Sequence, residues 1–351
     1  MSAGPNPDPQ TPELRLDDAK ATRNLRQGLI SLVVLVALVA GLLLAVPGLH
    51  TVEHHILRMP VHLLAVAIGF EVLSCVGYIV CFLLVFDRAP RRFGARVAMS
   101  ELAFGAAVAL GGASSIAVGA WLLIEKGARP GTVAERSAVL FLLTSAINLV
   151  TLAAAGLGVW LGILPGDRDL LLSLVPGAVG VIVFFAFLSL PRVNDSLIAG
   201  RHGGRFANWA GAISVTIRAT AALLFSFDWR LLAAFAYLWF DIAVLWICFV
   251  ALGHSPPLTT VVLAYQIGYL SNVIPIPGGI GVLDGSFVGM FVLFGVSGTV
   301  AASATLVYHA IALWIPATWG TVAFVLLRRS RHEPIQWLPP GVRRRGRSAR
   351  R

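Results

Sequence analysis

Asn272-Val273-Ile274-Pro275-Ile276-Pro277-Gly278-Gly279-Ile280-Gly281-Val282-Leu283-Asp284 is a helix-breaking, carboxylate-bearing stretch set between two long apolar runs. Its prolines remove backbone donors and its glycines permit positive φ and close backbone approach, so no continuous helix is expected through it. In a bilayer every freed N–H and C=O needs a partner inside the protein. Broken backbone at membrane depth is therefore tolerated only where it is buried or lines a wet cavity. The stretch reads as a permeation or binding site rather than as scaffold.

The rest of the chain supplies the membrane. Hydrophobic residues make up 57% of the 351 and charged residues only 13%, against roughly 25% charged in soluble domains, and the mean hydropathy is +0.82. This is the composition of an all-α polytopic membrane protein. A spanning helix needs about 20 apolar residues, and six runs qualify: about 28–47, 60–86, 137–161, 169–190, 229–252 and 299–327. One membrane domain over 28–327 is expected, between a polar, disordered tail at 1–27 and a basic tail at 328–351. The start lacks the small-residue cleavage pattern of a signal peptide, so the first run is expected to stay as an anchor.

Two further apolar stretches are interrupted: 97–124 by Gly111-Gly112, and 258–296 by the proline-glycine segment. Each half of the first has roughly 14 residues, about 20 Å of helix, which falls short of a hydrocarbon core of about 30 Å. Both are predicted to be re-entrant hairpins. Basic loop residues support this under the positive-inside rule. With the N-terminal tail cytoplasmic, Arg88, Arg91, Arg92, Arg96, Lys126, Arg129, Arg136, Arg192, Arg201, Arg205 and the arginine-rich C-terminal tail all fall on the cytoplasmic side of an inner membrane. That parity requires 206–226 not to cross. Trp209, Ile213, Ile217 and Leu224 suggest an interfacial amphipathic helix there, with a short seventh span carrying Arg218 as the alternative.

A shift of 168 residues superposes Gly111 on Gly279, Gly127 on Gly295, Ala134 on Ala302 and Ser137 on Thr305. With three full spans between them, the two hairpins would enter from opposite sides. That is an inverted repeat, an architecture that offers alternating access to a midplane site; chance similarity among alanine- and glycine-rich helices is the other reading.

Charged groups at membrane depth cost about 2.5–3.5 kcal/mol each on insertion scales and normally face a cavity or a partner. Asp284, expected near the N-terminus of a half-helix, suits either a cationic headgroup, a coupled proton or a simple helix cap. Gly278, Gly279 and Gly281 with Pro275 and Pro277 form a turn whose freed N–H groups fit a lipid phosphate, or merely close the hairpin. Glu71 and Asp241 are deep carboxylates that would neutralise Arg218, Arg136 or a cationic headgroup, or form a buried structural pair. Glu101 is a minor candidate. Glu135 and Arg136 open a span, where the arginine suits a phosphate or a solvated helix end. His309, after Tyr308, titrates near neutrality if wetted; a hydrogen-bonded interior histidine is the plainer reading. Cys75, Cys81 and Cys248 lie within apolar runs without metal or disulfide spacing. No metalloprotease, nucleophile-elbow or P-loop pattern occurs, and no cofactor is expected. Arginine outnumbers lysine 25 to 2, which fits a GC-rich bacterial genome. The net charge of +10 lies in tails and short loops, so anionic lipid rather than nucleic acid is the expected partner.

At these residues the sequence resembles the lysylphosphatidylglycerol synthase transmembrane region, the flippase-like membrane domain of multiple peptide resistance factor proteins. The resemblance rests on Pro275 to Gly281 followed by Asp284, Gly295, Tyr308-His309, Pro316 and Gly320, on Glu135-Arg136, and on Trp239-Phe240-Asp241. It departs from the family pattern at Asp284, usually Glu, at His309, usually Arg, and at the first break, where Ala109 to Ser115 replaces a proline- and arginine-bearing segment. What the resemblance implies is translocation of an anionic or aminoacylated phospholipid or other amphiphile between leaflets. The chain ends 24 residues past its last run, so the soluble aminoacyl-transferring domain of the synthases, and with it enzymatic activity, is not expected. The candidate translocation residues are Asn272, Pro275, Pro277, Gly278, Gly279, Gly281, Asp284, Glu135, Arg136, Asp241, Glu71, Tyr308 and His309. A membrane-embedded lipid or glycan transferase, and a non-transporting partner of a lipid-modifying enzyme, are the alternatives.

Overall fold

The computed structural model describes residues 59–107, 113–198, 205–226, 228–269 and 282–329. Within them the regular structure is helical: α1 (Val61–Val85), α2 (Arg91–Ala107), α3 (Ala113–Glu125), α4 (Pro130–Trp160), α5 (Val175–Ile198), α6 (Arg205–Leu224), α7 (Leu232–Ala251), α8 (Leu258–Tyr269), α9 (Val282–Leu293) and α10 (Gly298–Arg329). A π turn, Leu170–Leu174, leads into α5. Its start is set by Asp169, whose carboxylate accepts from the N–H groups of Leu171 and Leu172 at 2.7 and 2.8 Å, satisfying donors that a helix start leaves open.

Five helices are long and apolar enough to cross a bilayer: Val61–Val85, Pro130–Trp160, Leu170–Asp195, Trp229–Ala251 and Gly298–Arg329. They coincide with five of the six expected spans, so the protein is an all-α polytopic membrane protein. The run at 28–47 lies outside the described residues, as do residues 1–27 and most of the C-terminal tail. The α2/α3 and α8/α9 pairs are short helices, each packed against its own partner.

Side-chain contacts define the two ends of the bundle. At one end Arg136 Nη1 donates to the Val85 carbonyl at 2.7 Å and lies 3.8 Å from Asp87, while Arg230 also faces Asp87. The end of α1 and the starts of α4 and α7 therefore meet there. At the other end Thr259 donates to the Pro165 carbonyl, joining the end of α4 to the start of α8. The first hairpin thus begins beside the end of α1 and the second at the opposite end.

The relative direction of α1 and α7 decides the parity. Phe70 stacks on Phe240 at 5.6 Å, Ser74 donates to the Tyr237 carbonyl at 2.8 Å, and Gly77 faces the backbone of Ala233 and Tyr237. Rising numbers on α1 meet falling numbers on α7, so the two helices are antiparallel. With α4, α5 and α7 crossing and both hairpins re-entrant, α7 opposes α1 only if α6 does not cross; a crossing by α6 would make them parallel.

The apolar stripe expected on α6 is split between inside and outside: Ile217 is buried, Leu224 half-buried and Ile213 exposed. The buried positions are Ala210, Ser214, Thr216, Ile217 and Thr220, while Ile213 is exposed. Asn194 of α5 bonds to Ser214 Oγ at 3.1 Å, and Arg218 forms a two-pronged pair with Asp195 at 2.7 Å. Helices crossing closely without a hydrophobic drive select small and hydroxyl residues at the seam, and here Ile213 and Val215 face outward. The same logic operates between α4 and α5. A Cβ on Gly156 would stand 2.8 Å from Gly177 Cα, and a Cβ on Gly180 3.1 Å from the backbone of Ala153.

The 168-residue repeat holds at the level of structure. Glu125 and Leu293 close the two third helices, and Pro130 and Gly298 open the two fourth helices, each pair at that separation. Gly127 and Gly295, at φ 88° and 83°, end α3 and α9 in the left-handed conformation that favours glycine. Their caps match bond for bond: Gly127 N–H to Ile124 and Ala128 N–H to Leu123 correspond to Gly295 N–H to Val292 and Val296 N–H to Phe291. Exchanging α1–α4 with α7–α10 also preserves their packing pairs. Contact of α2 with α10 answers α8 with α4, α1 with α10 answers α7 with α4, and α1 with α7 answers itself. Because α1 and α7 are antiparallel, the exchange is an inverted one, about an axis perpendicular to both helices.

Candidate functional site

That axis passes through a carboxyl pair. Glu71 lies ten residues from the start of α1 and Asp241 ten residues before the end of α7, each about 15 Å along its helix. The two side chains are in hydrogen-bonding contact with each other. Asp241 Oδ2 accepts from the Tyr308 hydroxyl at 2.9 Å and from the Tyr265 hydroxyl. Glu71 is buried, with Cys75 Sγ 3.8 Å from its Oε1, and no group among the described residues donates to its Oε2.

The pair is asymmetric in its donors. Two phenolic O–H groups aimed at Asp241 stabilise a carboxylate there, whereas Glu71 has only a weak thiol donor. Two bare carboxylates at about 4 Å would repel by about 4 kcal/mol at an effective dielectric of 20, and neither can donate to the other unless a proton lies between them. A proton held between the two carboxyl groups would relieve that repulsion.

Aromatic residues surround this centre. Tyr265 packs on Tyr269, Phe287 and Tyr308 with ring centroids at 5.6, 5.4 and 6.4 Å, and His309 faces Asp241 from α10. Tyr237 faces Asp241, Glu71 and Tyr269. Its ring is 5.2 Å from that of Tyr78, and Tyr78 bonds to Glu101. Glu101 is buried within the first hairpin, where Gly119 makes room for it; a Cβ at 119 would stand 2.5 Å from Glu101 Oε2. A string of carboxyl and phenol groups therefore runs from α2, through the α1–α7 crossing, to α8 and α10.

The structure sorts the sequence candidates. It brings Glu71, Asp241, Tyr308 and His309 together. The expectation that Arg218 or Arg136 neutralises the deep carboxylates is overturned, because Arg218 is paired with Asp195 and Arg136 with the Val85 carbonyl and Asp87. Arg136 thus acts as a cap on the end of α1, where cations suit the exposed carbonyls. Glu135 is exposed beside it. Asp284 lies in α9. Asn272, Pro275, Pro277, Gly278, Gly279 and Gly281 lie outside the described residues.

Tyr78, Tyr237, Tyr265 and Tyr269 were not legible as site residues. Yet the chain has only five tyrosines, and with Tyr308 all five belong to this cluster. A phenol in mid-helix of an apolar run needs a hydrogen-bond partner, and that was the available signal. Among the described residues no group of three or more His, Cys, Asp or Glu is placed to hold a metal ion.

A UPF0104 membrane protein of Methanothermobacter thermautotrophicus is 31% identical over 86 residues, 24% of each chain. A UPF0104 membrane protein of Methanocaldococcus jannaschii is 32% identical over 91 residues, 26% of this chain and 27% of that one. The chain thus covers about a quarter of the length of these relatives. The family model described as the lysylphosphatidylglycerol synthase TM region matches residues 30–320, and the chain belongs to that family.

Proposed function

We propose that the protein moves a phospholipid or similar amphiphile between the leaflets of a cell membrane, without enzymatic turnover. The observation that carries this reading is the pair of re-entrant hairpins entering from opposite ends and related by an inverted exchange about a polar centre. Inverted repeats of this kind place a site at the midplane and present it to either side. Helix-breaking sequence at Gly111-Gly112 and from Pro275 to Gly281 is tolerated at membrane depth where its backbone is buried or lines a wet cavity. Asp284 and the segment from Pro275 to Gly281 would meet the headgroup, with membrane lipids, anionic or aminoacylated, as cargo. Basic loops and the arginine-rich C-terminal tail support a reading with both termini on the cytoplasmic side of an inner membrane under the positive-inside rule.

The test is reconstitution in liposomes holding NBD-labelled phospholipids, with dithionite quenching of label that reaches the outer leaflet. Wild type is compared with Asp284→Ala and Gly279→Leu, and a trapped soluble dye reports leak. Protein-dependent quenching, lost in both variants with folding intact, is the expected result. No quenching with cationic, anionic or glycolipid probes would sink the reading and favour a membrane-embedded transferase or a partner of a lipid-modifying enzyme.

A further inference from the structure

We propose that Glu71 and Asp241 together form a proton-binding site on the inverted-repeat axis, and that loading and unloading of this proton drives lipid movement through the two hairpins. The inference rests on the translocation reading above and adds its energy source.

Three observations converge. First, Glu71 is 4% exposed and its Oε2 receives no donor among the described residues, although the side chain touches a second carboxyl group. A buried acceptor facing another acceptor is satisfied by a proton, and the described groups around it offer no other donor. Second, the facing groups are a thiol and phenols rather than fixed cations. Cys75 lies on α1, Tyr237 on α7, Tyr265 and Tyr269 on α8, and Tyr308 and His309 on α10. Glu101 of α2 reaches Tyr78 instead, and Arg136 and Arg218 are engaged elsewhere. An ion pair would fix the charge permanently, whereas this arrangement lets it change by one. Third, the pair sits on the α1–α7 crossing, while the two phenols that donate to Asp241 come from the second hairpin and α10. Proton occupancy and the position of the second hairpin are therefore linked, and linkage is reciprocal: whatever moves α8 relative to α7 changes proton binding, and proton binding biases that movement.

The step is a simple transfer. The proton shared by Glu71 and Asp241 passes to water from one end of the bundle, leaving two carboxylates. A proton from the other end then restores the shared state after the hairpins have exchanged access.

Two measurements on full-length protein test the proposal. Infrared difference spectra of protein in phosphatidylcholine–phosphatidylglycerol vesicles report protonated carboxyl groups. At neutral pH a deuterium-sensitive carboxylic C=O band should be present in wild type and lost in Glu71→Gln and in Asp241→Asn. In the same vesicles, NBD-phosphatidylglycerol is followed across an imposed pH gradient of one unit. One proton per lipid sustains up to about tenfold leaflet asymmetry per unit, so a gradient-dependent asymmetry approaching tenfold is expected for wild type. Glu71→Gln copies the neutral acid, since its amide still donates to Asp241. It should fold and lose the gradient response, whereas a purely structural pair would keep it. A wild type without the band, or lipid movement indifferent to the gradient, overturns the proton site. A band present with no lipid movement in any vesicle overturns translocation, and the coupling with it, while leaving the shared proton in place.

Discussion

Replacing Gly77 with alanine tests the α1–α7 crossing, because the added Cβ meets backbone rather than a side chain that can turn away. It would stand 2.7 Å from the Tyr237 nitrogen and 2.8 Å from the Ala233 carbonyl oxygen, where ordinary contact begins near 3.4 Å. The helices must part locally by about 0.6–0.7 Å, and since neither obstacle is flexible the cost belongs at the upper end of overpacking, about 2–3 kcal/mol. At about 2–4 °C per kcal/mol, the unfolding midpoint should fall by roughly 4–12 °C. Gly69→Ala is the matched control on the same helix: nothing lies within 4 Å of its Cβ, and alanine is the better helix former by about 1 kcal/mol. Its midpoint should hold or rise. Cys75, Cys81 and Cys248 are free and buried, so a thiol-reactive dye reports melting in detergent without an added label. Because Gly77 lies less than two turns from Glu71, Gly77→Ala should also weaken the Glu71–Asp241 contact and lower the infrared carboxyl signal. Equal midpoints for wild type and Gly77→Ala, or an equal fall for Gly69→Ala, would refute the argument.

Tyr265→Phe and Tyr308→Phe each remove one donor from Asp241 Oδ2; each should lower stability by about 0.6–1.7 kcal/mol, the scale of hydrogen bonds between membrane helices. In a double-mutant cycle with Asp241→Asn these costs should shrink; full additivity would show that the phenols act elsewhere. Arg136→Ala removes the cap on the Val85 carbonyl but from a side chain 36% exposed beside a 50% exposed Asp87, so the expected loss is below about 1 kcal/mol, read by the same dye. For topology, single cysteines placed at Asp87 and Asp228 in a cysteine-free background should react with an impermeant maleimide from one side of the membrane, and those at Asp167 and His254 from the other. Position 228 siding with 167 would mean that α6 crosses.

Much of this fold was written in local features of the chain. Five of the six expected spans appear as helices because about 20 apolar residues have few other states available in lipid. The Gly127–Gly295 register was legible because a helix end that needs positive φ leaves a glycine behind. The seam of α6 was not. An apolar stripe at helical spacing predicts a buried face only where burial is hydrophobic. Between membrane helices, close approach decides instead, so Ser214 and Thr220 are buried while Ile213 is not. The site was half legible for a similar reason. Deep carboxylates announce themselves by their cost, but their partners depend on which helices cross. Charge alone left arginines, a cationic headgroup and a buried pair all open for Glu71 and Asp241, and geometry brought them to each other.

The repeat itself shows why the partners could not be copied from one half to the other. Under the 168-residue shift Glu71 falls on Trp239, Asp241 on Leu73, Tyr265 on Val97 and Tyr308 on Leu140. The helical frame is duplicated and the chemistry is not. A group near a two-fold axis is presented alike to both ends, so one carboxyl pair serves where two copies would otherwise be required. The donors, in contrast, lie off the axis, and having them only on α8 and α10 makes the second half the one that responds to the charge on Asp241. Among the described residues the first hairpin reaches the centre through Glu101, Tyr78 and Tyr237. Symmetric access combined with one-sided donors is an arrangement in which a single proton distinguishes two states of an otherwise balanced frame. It follows that Tyr78→Phe should disturb proton binding at the pair less than Tyr265→Phe does. The reverse order in the infrared carboxyl signal would assign the responsive half to the first hairpin.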